Sequence, residues 1–152
     1  MLKNAFSKKF KFKNWPKKNF PAVAAGIYLI WDGQTLLYVG TAGKDLDKAQ
    51  RSGKNKFGLI TRLSSHASGR AAGDQFCSLL ANRIVIPSLS SPQINRFREG
   101  TTTLDQITKK YIQANLEYQY LVVENFQDAL DLEGHCKRGA IFGQKPFLNS
   151  VN

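Results

Sequence analysis

The fold of this 152-residue chain is decided by the stretch GIYLIWDGQTLLYVG, residues 26–40. Residues 26–31 and 35–40 are rich in β-branched, aromatic and other large apolar side chains, which favour strands. The Asp32-Gly33 pair between them is typical of a tight turn that joins two antiparallel strands. We therefore predict a β-hairpin over residues 26–40.

The chain that follows the hairpin reads as a loop and then a helix. Residues 41–56 are rich in Gly, Lys, Asp and Ser, so they are predicted to be a loop. Apolar residues with helical spacing predict a helix over 57–68, which Gly69 is placed to end. Residues 76–86 fit a strand or a helix, and prolines at 87 and 92 interrupt the chain after them.

The C-terminal third adds two helices and one strand. Thr103 and Gln106 form a capping-box pattern, which predicts a helix that continues to about Leu116. Residues 117–124 read as a strand, and Asn125 can cap a last helix from Phe126 to about Ala140. These elements predict an α/β (α+β) fold, with a small, mainly antiparallel central sheet flanked by helices.

Length and composition indicate one domain that has a core of its own. We divide the chain into a basic aromatic N-terminal arm, residues 1–20, and a domain, residues 21–152. Cys77 and Cys136 lie in apolar surroundings without metal-ligand spacing, which predicts reduced core residues and a cytoplasmic protein. No apolar run is long enough for a membrane span, so no membrane partner is expected.

The net charge of +11 is concentrated in two segments. Residues 1–20 contain seven lysines and no acidic residue, and residues 41–70 contain seven Lys or Arg against two Asp. Such a distribution suits a surface that binds a polyanion, above all a nucleic acid. In the arm the lysines alternate with aromatic residues, whose rings can stack on bases or pack on the domain.

Two tyrosines are candidates for chemistry. Tyr28 and Tyr38 lie on the two strands of the predicted hairpin. Strand alternation turns each away from its immediate neighbours, and the hairpin can bring the two phenols together. The alternative is that tyrosines simply favour strands.

Arg62 and His66 are the second candidate pair. Their i,i+4 spacing places them on one face of the predicted helix, beside its apolar stripe. There they can reach a pocket at the edge of the core. The alternative is a solvated helix edge.

Glu133 is the third candidate. With about 100° per residue and Ala129 at 0°, Phe126, Cys136 and Ala140 fall within about 60° of it, and Glu133 falls at about 40°. A carboxylate inside such an apolar stripe is costly unless it is paired or binds a cation. The partner of Glu133 could be a buried structural arginine or a metal ion, and the sequence does not choose between them.

Together these residues resemble the GIY-YIG nuclease family. Its first motif is matched by Gly26-Ile-Tyr28, and its second by Tyr38-Val-Gly40, with valine in place of isoleucine. Its helix with arginine and histidine is matched by Arg62 and His66, its metal-binding glutamate by Glu133, and its asparagine after proline by Asn149. All five elements occur in the family order. The longer interval between the second motif and the arginine is similar to that of restriction-type members.

The resemblance implies a DNA endonuclease that hydrolyses phosphodiester bonds with one Mg²⁺ or Mn²⁺ ion held by Glu133. Tyr28 would receive the proton of the attacking water, aided by Tyr38 or His66. Arg62 would grip the phosphate, and Asn149 would orient Tyr28 or the phosphate. The substrate would be duplex or branched DNA, cut in restriction or repair, with a homodimer among the expectations. The lysines expected at the DNA are Lys8, Lys9, Lys11, Lys13, Lys44, Lys54 and Lys56.

Two other functions are compatible with the charge. A module of the same fold could bind nucleic acid without cutting it. A basic adaptor could instead bind an acidic protein or a lipid surface. Cleavage that requires a divalent metal separates the first from an enzyme, and a missing salt-dependent DNA affinity would favour the second.

Overall fold

The predicted hairpin lies at the centre of the sheet. In the computed structural model, which describes residues 2–149, β2 (Val23–Asp32) and β3 (Thr35–Ala42) pair antiparallel. Gly33 turns the chain between them with a φ of 57°, a conformation that glycine adopts without a steric penalty. The hairpin prediction is confirmed, with a register shift between Ile30 and Trp31.

The other strands extend the sheet on both sides of β2. β5 (Leu116–Val123) pairs antiparallel with β2, and β1 (Phe10–Lys11) pairs antiparallel with β5. The short β4 (Phe57–Gly58) pairs parallel with the start of β2. The order β1-β5-β2-β3, with β4 beside β2, makes the sheet of the described residues mainly antiparallel, as predicted.

Helices cover both faces of this sheet. The α-helices in residues 2–149 are α1 (Leu46–Arg51), α2 (Leu59–Ala67), α3 (Gln75–Leu80), α4 (Ser91–Glu99), α5 (Leu104–Asn115) and α6 (Phe126–Lys137). One face packs against α2, α3 and α5 through side chains such as Leu63, Phe76 and Ile112, and the other packs against α6 through Cys136. The fold is therefore α+β, which confirms the predicted class.

Local capping explains where most helices begin. The capping box of Thr103 and Gln106 opens α5, and the side chain of Asn125 accepts a hydrogen bond from the Gln127 amide at the start of α6; both predictions are confirmed. Helix α6 ends three residues earlier than predicted, and Gly139 follows it with a φ of 82°.

Other helices differ from the predictions. Residues 41–56 include α1, although they were predicted to be a loop. The ambiguous segment 76–86 is helical, because α3 continues into a π turn, Ala81–Val85. Pro92 does not interrupt the chain but lies in the first turn of α4, where a missing amide hydrogen costs nothing.

The aromatic residues of the arm pack on the domain. Phe12 and Phe20 are buried, and the rings of Phe12 and Trp15 lie 5.0 Å and 5.2 Å from the ring of Tyr118 on β5. The arm was expected either to present its rings to bases or to pack them on the domain. These three rings pack on the domain.

Two further findings bear on the sequence expectations. Cys77 and Cys136 are both buried and form no disulfide, since they lie on opposite faces of the sheet. Within residues 2–149, no helix has the length and apolar character that crossing a bilayer requires.

Candidate active site

The two tyrosines of the hairpin lie side by side on one face of the sheet. Tyr28 pairs with Gly40 across the strands, and Tyr38 pairs with Ile30 two positions away. Their ring centroids are 6.3 Å apart at an interplanar angle of 29°. Both rings are buried, with 2% and 8% of their surface exposed. Strand alternation predicted this juxtaposition.

Two glycines make room for this arrangement. A side chain at Gly40 would overlap the phenol of Tyr28, and one at Gly26 would overlap the carbonyl oxygen of Leu121 on the neighbouring strand. The first and second motifs thus contain glycine because the tyrosine ring and β5 approach the backbone closely.

Helix α2 brings His66 onto the hydroxyl of Tyr28. The Nε2 atom of His66 lies 2.8 Å from the Tyr28 Oη, and the imidazole is buried between the rings of Tyr28 and Phe76. His66 and Leu63 share the buried face of α2, because they are three residues apart. Of the two alternatives for His66, the structure shows a side chain that points into the core rather than one at a solvated helix edge.

Asp74 completes a buried hydrogen-bond chain. Its Oδ2 atom lies 2.7 Å from His66 Nδ1 and accepts a second bond from the Ser65 hydroxyl at 2.6 Å. Its Oδ1 atom accepts the Cys77 amide hydrogen at 2.9 Å, which caps α3. A carboxylate at Nδ1 assigns the proton of the imidazole to that atom, so that Nε2 accepts the Tyr28 hydroxyl hydrogen.

Burial dominates the protonation of this chain. Desolvation raises the pKa of Tyr28 well above 10.0, with Tyr38 adding to the effect and Arg62 opposing it. Desolvation also lowers the pKa of His66 from 6.5, although Asp74 opposes the shift. Burial alone would raise the pKa of Asp74, but its bonds with His66, Ser65 and the Cys77 amide hold it well below 3.8. At neutral pH the chain is phenol, neutral imidazole and carboxylate.

Arg62 stands at the solvent side of this chain. Its side chain is exposed and borders an open pocket of about 230 Å³ together with Lys44 and Ser65. Its charge opposes the rise in pKa of both Tyr28 and Tyr38. An exposed cation whose charge acts on both phenols can receive an anionic ligand from solvent near the buried chain.

Asn149 supports the strand that carries Tyr38. Its Oδ1 accepts the Val39 amide hydrogen at 2.7 Å, and its Nδ2 donates to the Val39 carbonyl at 3.0 Å. Leu148 also donates its amide hydrogen to Leu37, so the C-terminal segment runs along β3. The amide of Asn149 is therefore engaged with the backbone beside Tyr38 rather than with Tyr28.

Glu133 lies nearer the surface than the sequence predicted. Its side chain keeps 20% of its surface exposed and forms an ion pair with Lys137 one turn later, at 3.1 Å, instead of pairing with a buried arginine. Of the predicted apolar stripe only Ala129 and Cys136 are buried, because Phe126 in the first turn is half-buried and Ala140 lies beyond α6 and is exposed. The buried face is therefore narrower than predicted, and Glu133 sits at its edge. Its charge nevertheless makes a small contribution to the raised pKa of Tyr28 and Tyr38.

The lysines expected at the DNA are distributed around the arm and the segment before α2. Lys44 borders the Arg62 pocket, whereas Lys9 lies over the Trp31 ring at 4.0 Å and donates to the Gly33 carbonyl at the hairpin turn. Exposed side chains at the surface are those of Lys8, Lys11, Lys13, Lys44, Lys54 and Lys56.

Two places in the described residues offer ligands for a metal ion. Donor atoms of His66, Asp74 and Cys77 lie within 4.8 Å of one another. These groups are already hydrogen-bonded, and burial raises the pKa of the Cys77 thiol far above 9.0, so a metal ion would have to displace both these bonds and the thiol proton. The partly exposed carboxylate of Glu133 fits a hard cation better, since Mg²⁺ uses few carboxylates and keeps much of its water.

Asp74 is the site residue that sequence reasoning missed. The available signal was its position before the helical pattern of α3, which is typical of a cap. Nothing in the spacing indicates the bond with His66, because Gly69 and Gly73 turn the chain between them. Comparison with known proteins found no family model that matches the chain, and no curated protein or solved structure with significant similarity to it.

Proposed function

We propose that this protein is a metal-dependent DNA endonuclease that hydrolyses phosphodiester bonds with a GIY-YIG-type site. The observation that carries the proposal is the buried chain Asp74–His66–Tyr28, which ends beside the exposed Arg62. A positioned proton acceptor next to a cation is what hydrolysis of a phosphodiester requires of the protein.

The proton steps follow from the protonation of the chain. Tyr28 is a weak base alone, because burial raises its pKa and keeps the phenol protonated. As Tyr28 Oη takes a proton from the attacking water, it passes its own proton to His66 Nε2, 2.8 Å away. The resulting imidazolium is stabilised by the Asp74 carboxylate. The water oxygen bonds to phosphorus, and the bond to the 3′ oxygen breaks.

Arg62 would bind the phosphate that is attacked. A guanidinium can donate two parallel hydrogen bonds to phosphate oxygens, and this side chain is exposed and has no acidic partner within residues 2–149. Because its charge acts on Tyr28, a phosphate that it binds would lie near the water that Tyr28 deprotonates.

The divalent ion would be held by Glu133, after Lys137 releases its carboxylate. When bound, the ion would supply Lewis-acid stabilisation of the departing oxygen. Tyr38 and Asn149 would act as supports, because Asn149 fixes the strand beside Tyr38 and the Tyr38 ring packs beside Tyr28.

The surface charge supports a polyanionic substrate. Of all lysines and arginines in the described part of the chain, Lys137 alone forms an ion pair with a carboxylate. Those of the remaining cations that face the DNA can neutralise phosphates and release counterions, which makes binding to DNA favourable and salt-dependent.

The direct test is cleavage of supercoiled plasmid with Mg²⁺, with Mn²⁺ and with EDTA. Wild type should produce nicked or linear DNA only with metal, whereas Glu133→Gln should bind DNA but not cut it. Asp131→Asn is the matched control, since Asp131 is an exposed acid on the same helix that accepts a bond from Gln127. Tight DNA binding without cleavage by wild type would favour a catalytically silent binding module.

A further inference from the structure

A second cavity lies between α4 and α5, away from the candidate active site. Its volume is about 970 Å³, and none of its lining residues belongs to the hydrogen-bond chain. Val85, Leu89 and Ile107 contribute apolar surface to it. Its polar side chains include Arg96 from α4 and Lys109 and Lys110 from α5.

The cations of this cavity are not neutralised. No acidic residue lines it, and Arg96, Lys109 and Lys110 form no ion pair within residues 2–149. The acid one turn before Lys109 on α5 is Asp105, whose carboxylate instead accepts the Ala71 amide hydrogen at 3.2 Å. An anionic ligand would therefore meet positive charge without displacing a carboxylate.

Local hydrogen bonds define the start of both helices that line the cavity. Helix α4 begins with a capping box formed by Ser90 and Gln93, and α5 begins with its own. The Tyr111 hydroxyl donates to Asp32 at 2.6 Å, which ties α5 to the hairpin. The wall formed by α5 is therefore held in place, so a ligand would lose little binding energy in ordering it.

The cavity continues toward α2. A second pocket, of about 260 Å³, shares Lys109 with it and adds Lys13 and Trp15 from the arm. The Trp15 Nε1 donates to the Ser64 hydroxyl on α2 at 3.2 Å, which holds the arm against the helix that carries Arg62. Cationic side chains of α4, α5 and the arm, namely Arg96, Lys109, Lys110 and Lys13, therefore line two adjoining pockets, the second of which borders α2.

We infer that this α4–α5 groove binds the sugar-phosphate backbone of DNA at a place separate from the active site. Separated cations along an open groove suit a chain of phosphates, whereas a site for one small anion would converge on it. Backbone contacts of this kind position a nucleic acid without reading its sequence. The inference rests on the proposed function for the identity of the polyanion, but it does not require cleavage.

The test measures the affinity for a labelled DNA duplex in EDTA over a series of KCl concentrations. Affinity falls as salt rises, and each lost phosphate contact makes the slope of log affinity against log salt less steep by about 0.9. Arg96→Gln/Lys109→Gln removes one cation from each wall and should make the slope less steep by about 1.8. The control, Lys3→Gln/Arg138→Gln, removes two exposed cations on the α6 side of the sheet and should leave the slope unchanged.

Either an unchanged slope in the groove variant or an equal loss in the control would overturn the inference. Thermal unfolding of both variants checks that each is folded. Plasmid cleavage by wild type, with no effect of the groove variant on the slope, would refute the groove alone. A groove-dependent slope without any cleavage would refute the nuclease proposal alone.

Discussion

Asp74→Asn is the substitution that most directly probes the buried hydrogen-bond chain. Asparagine keeps the shape of aspartate but has one acceptor oxygen and loses the charge. If its amide nitrogen faces His66, it donates to Nδ1, and the imidazole must place its proton on Nε2, facing Tyr28. If its oxygen faces His66, the amide nitrogen meets the Cys77 amide hydrogen and the cap of α3 is lost.

The expected losses of stability and of cleavage rate in Asp74→Asn follow from these contacts. Asp74 accepts three hydrogen bonds, and losing one bond to a charged group costs about 1.5–3 kcal/mol of stability. With Nε2 protonated, His66 cannot take the proton of Tyr28, and loss of a positioned base lowers the rate by about 10²–10⁴-fold. We therefore expect cleavage at saturating DNA to fall by at least about 10²-fold, with DNA affinity retained.

The assay is single-turnover nicking of plasmid over a range of pH, accompanied by thermal unfolding. Asp105→Asn is the matched control, because Asp105 accepts a backbone amide hydrogen as well but does not touch His66. Asp74 raises the pKa of His66, and Asp74→Asn removes this effect. As the pH is lowered, any residual activity of Asp74→Asn should therefore be lost at a lower pH than the activity of wild type. A rate within threefold of that of Asp105→Asn would refute the proton path through His66.

Three further predictions concern single positions. Gly40→Ala should destabilise the fold by about 1–3 kcal/mol, because the new methyl group overlaps the Tyr28 phenol. The control Gly134→Ala, in α6, meets only the flexible end of Arg138 and should stabilise the fold by about 0.4–1 kcal/mol. Denaturant unfolding measures the free energy of unfolding of both variants. Burial lowers the pKa of His66 from 6.5, so below that pH the unfolded chain binds one proton more than the folded chain, and stability falls as the pH drops. The melting temperature of His66→Gln should therefore change less between pH 7.5 and pH 5 than that of wild type. An equal change in the two proteins would contradict this prediction. Arg62→Lys keeps the charge but not the forked contact, so the rate at saturating DNA should fall about tenfold or more, whereas a loss in affinity alone would make Arg62 a positioning residue.

Much of the site could be predicted because its parts are local. The alternation of β2 and β3 places Tyr28 and Tyr38 on one face, and the i,i+4 spacing on α2 carries Arg62 and His66 toward them. The prediction for Glu133 was less accurate, because it counted Phe126 and Ala140, at the two ends of the predicted helix, as part of the buried face. How deeply the ends of a helix are buried depends on the chain beyond them, and this sets the width of its apolar face.

The sequence by itself determined the elements whose signals lie within a few residues. A turn with Asp-Gly, a strand pattern of period two and a capping box act over one or two turns of chain, so the hairpin and α5 were predictable. The role of Asp74 and the α4–α5 groove were decided only by the tertiary structure. Each joins side chains from different elements, and burial sets the protonation of Tyr28 and His66 only once the surrounding helices exclude water from them.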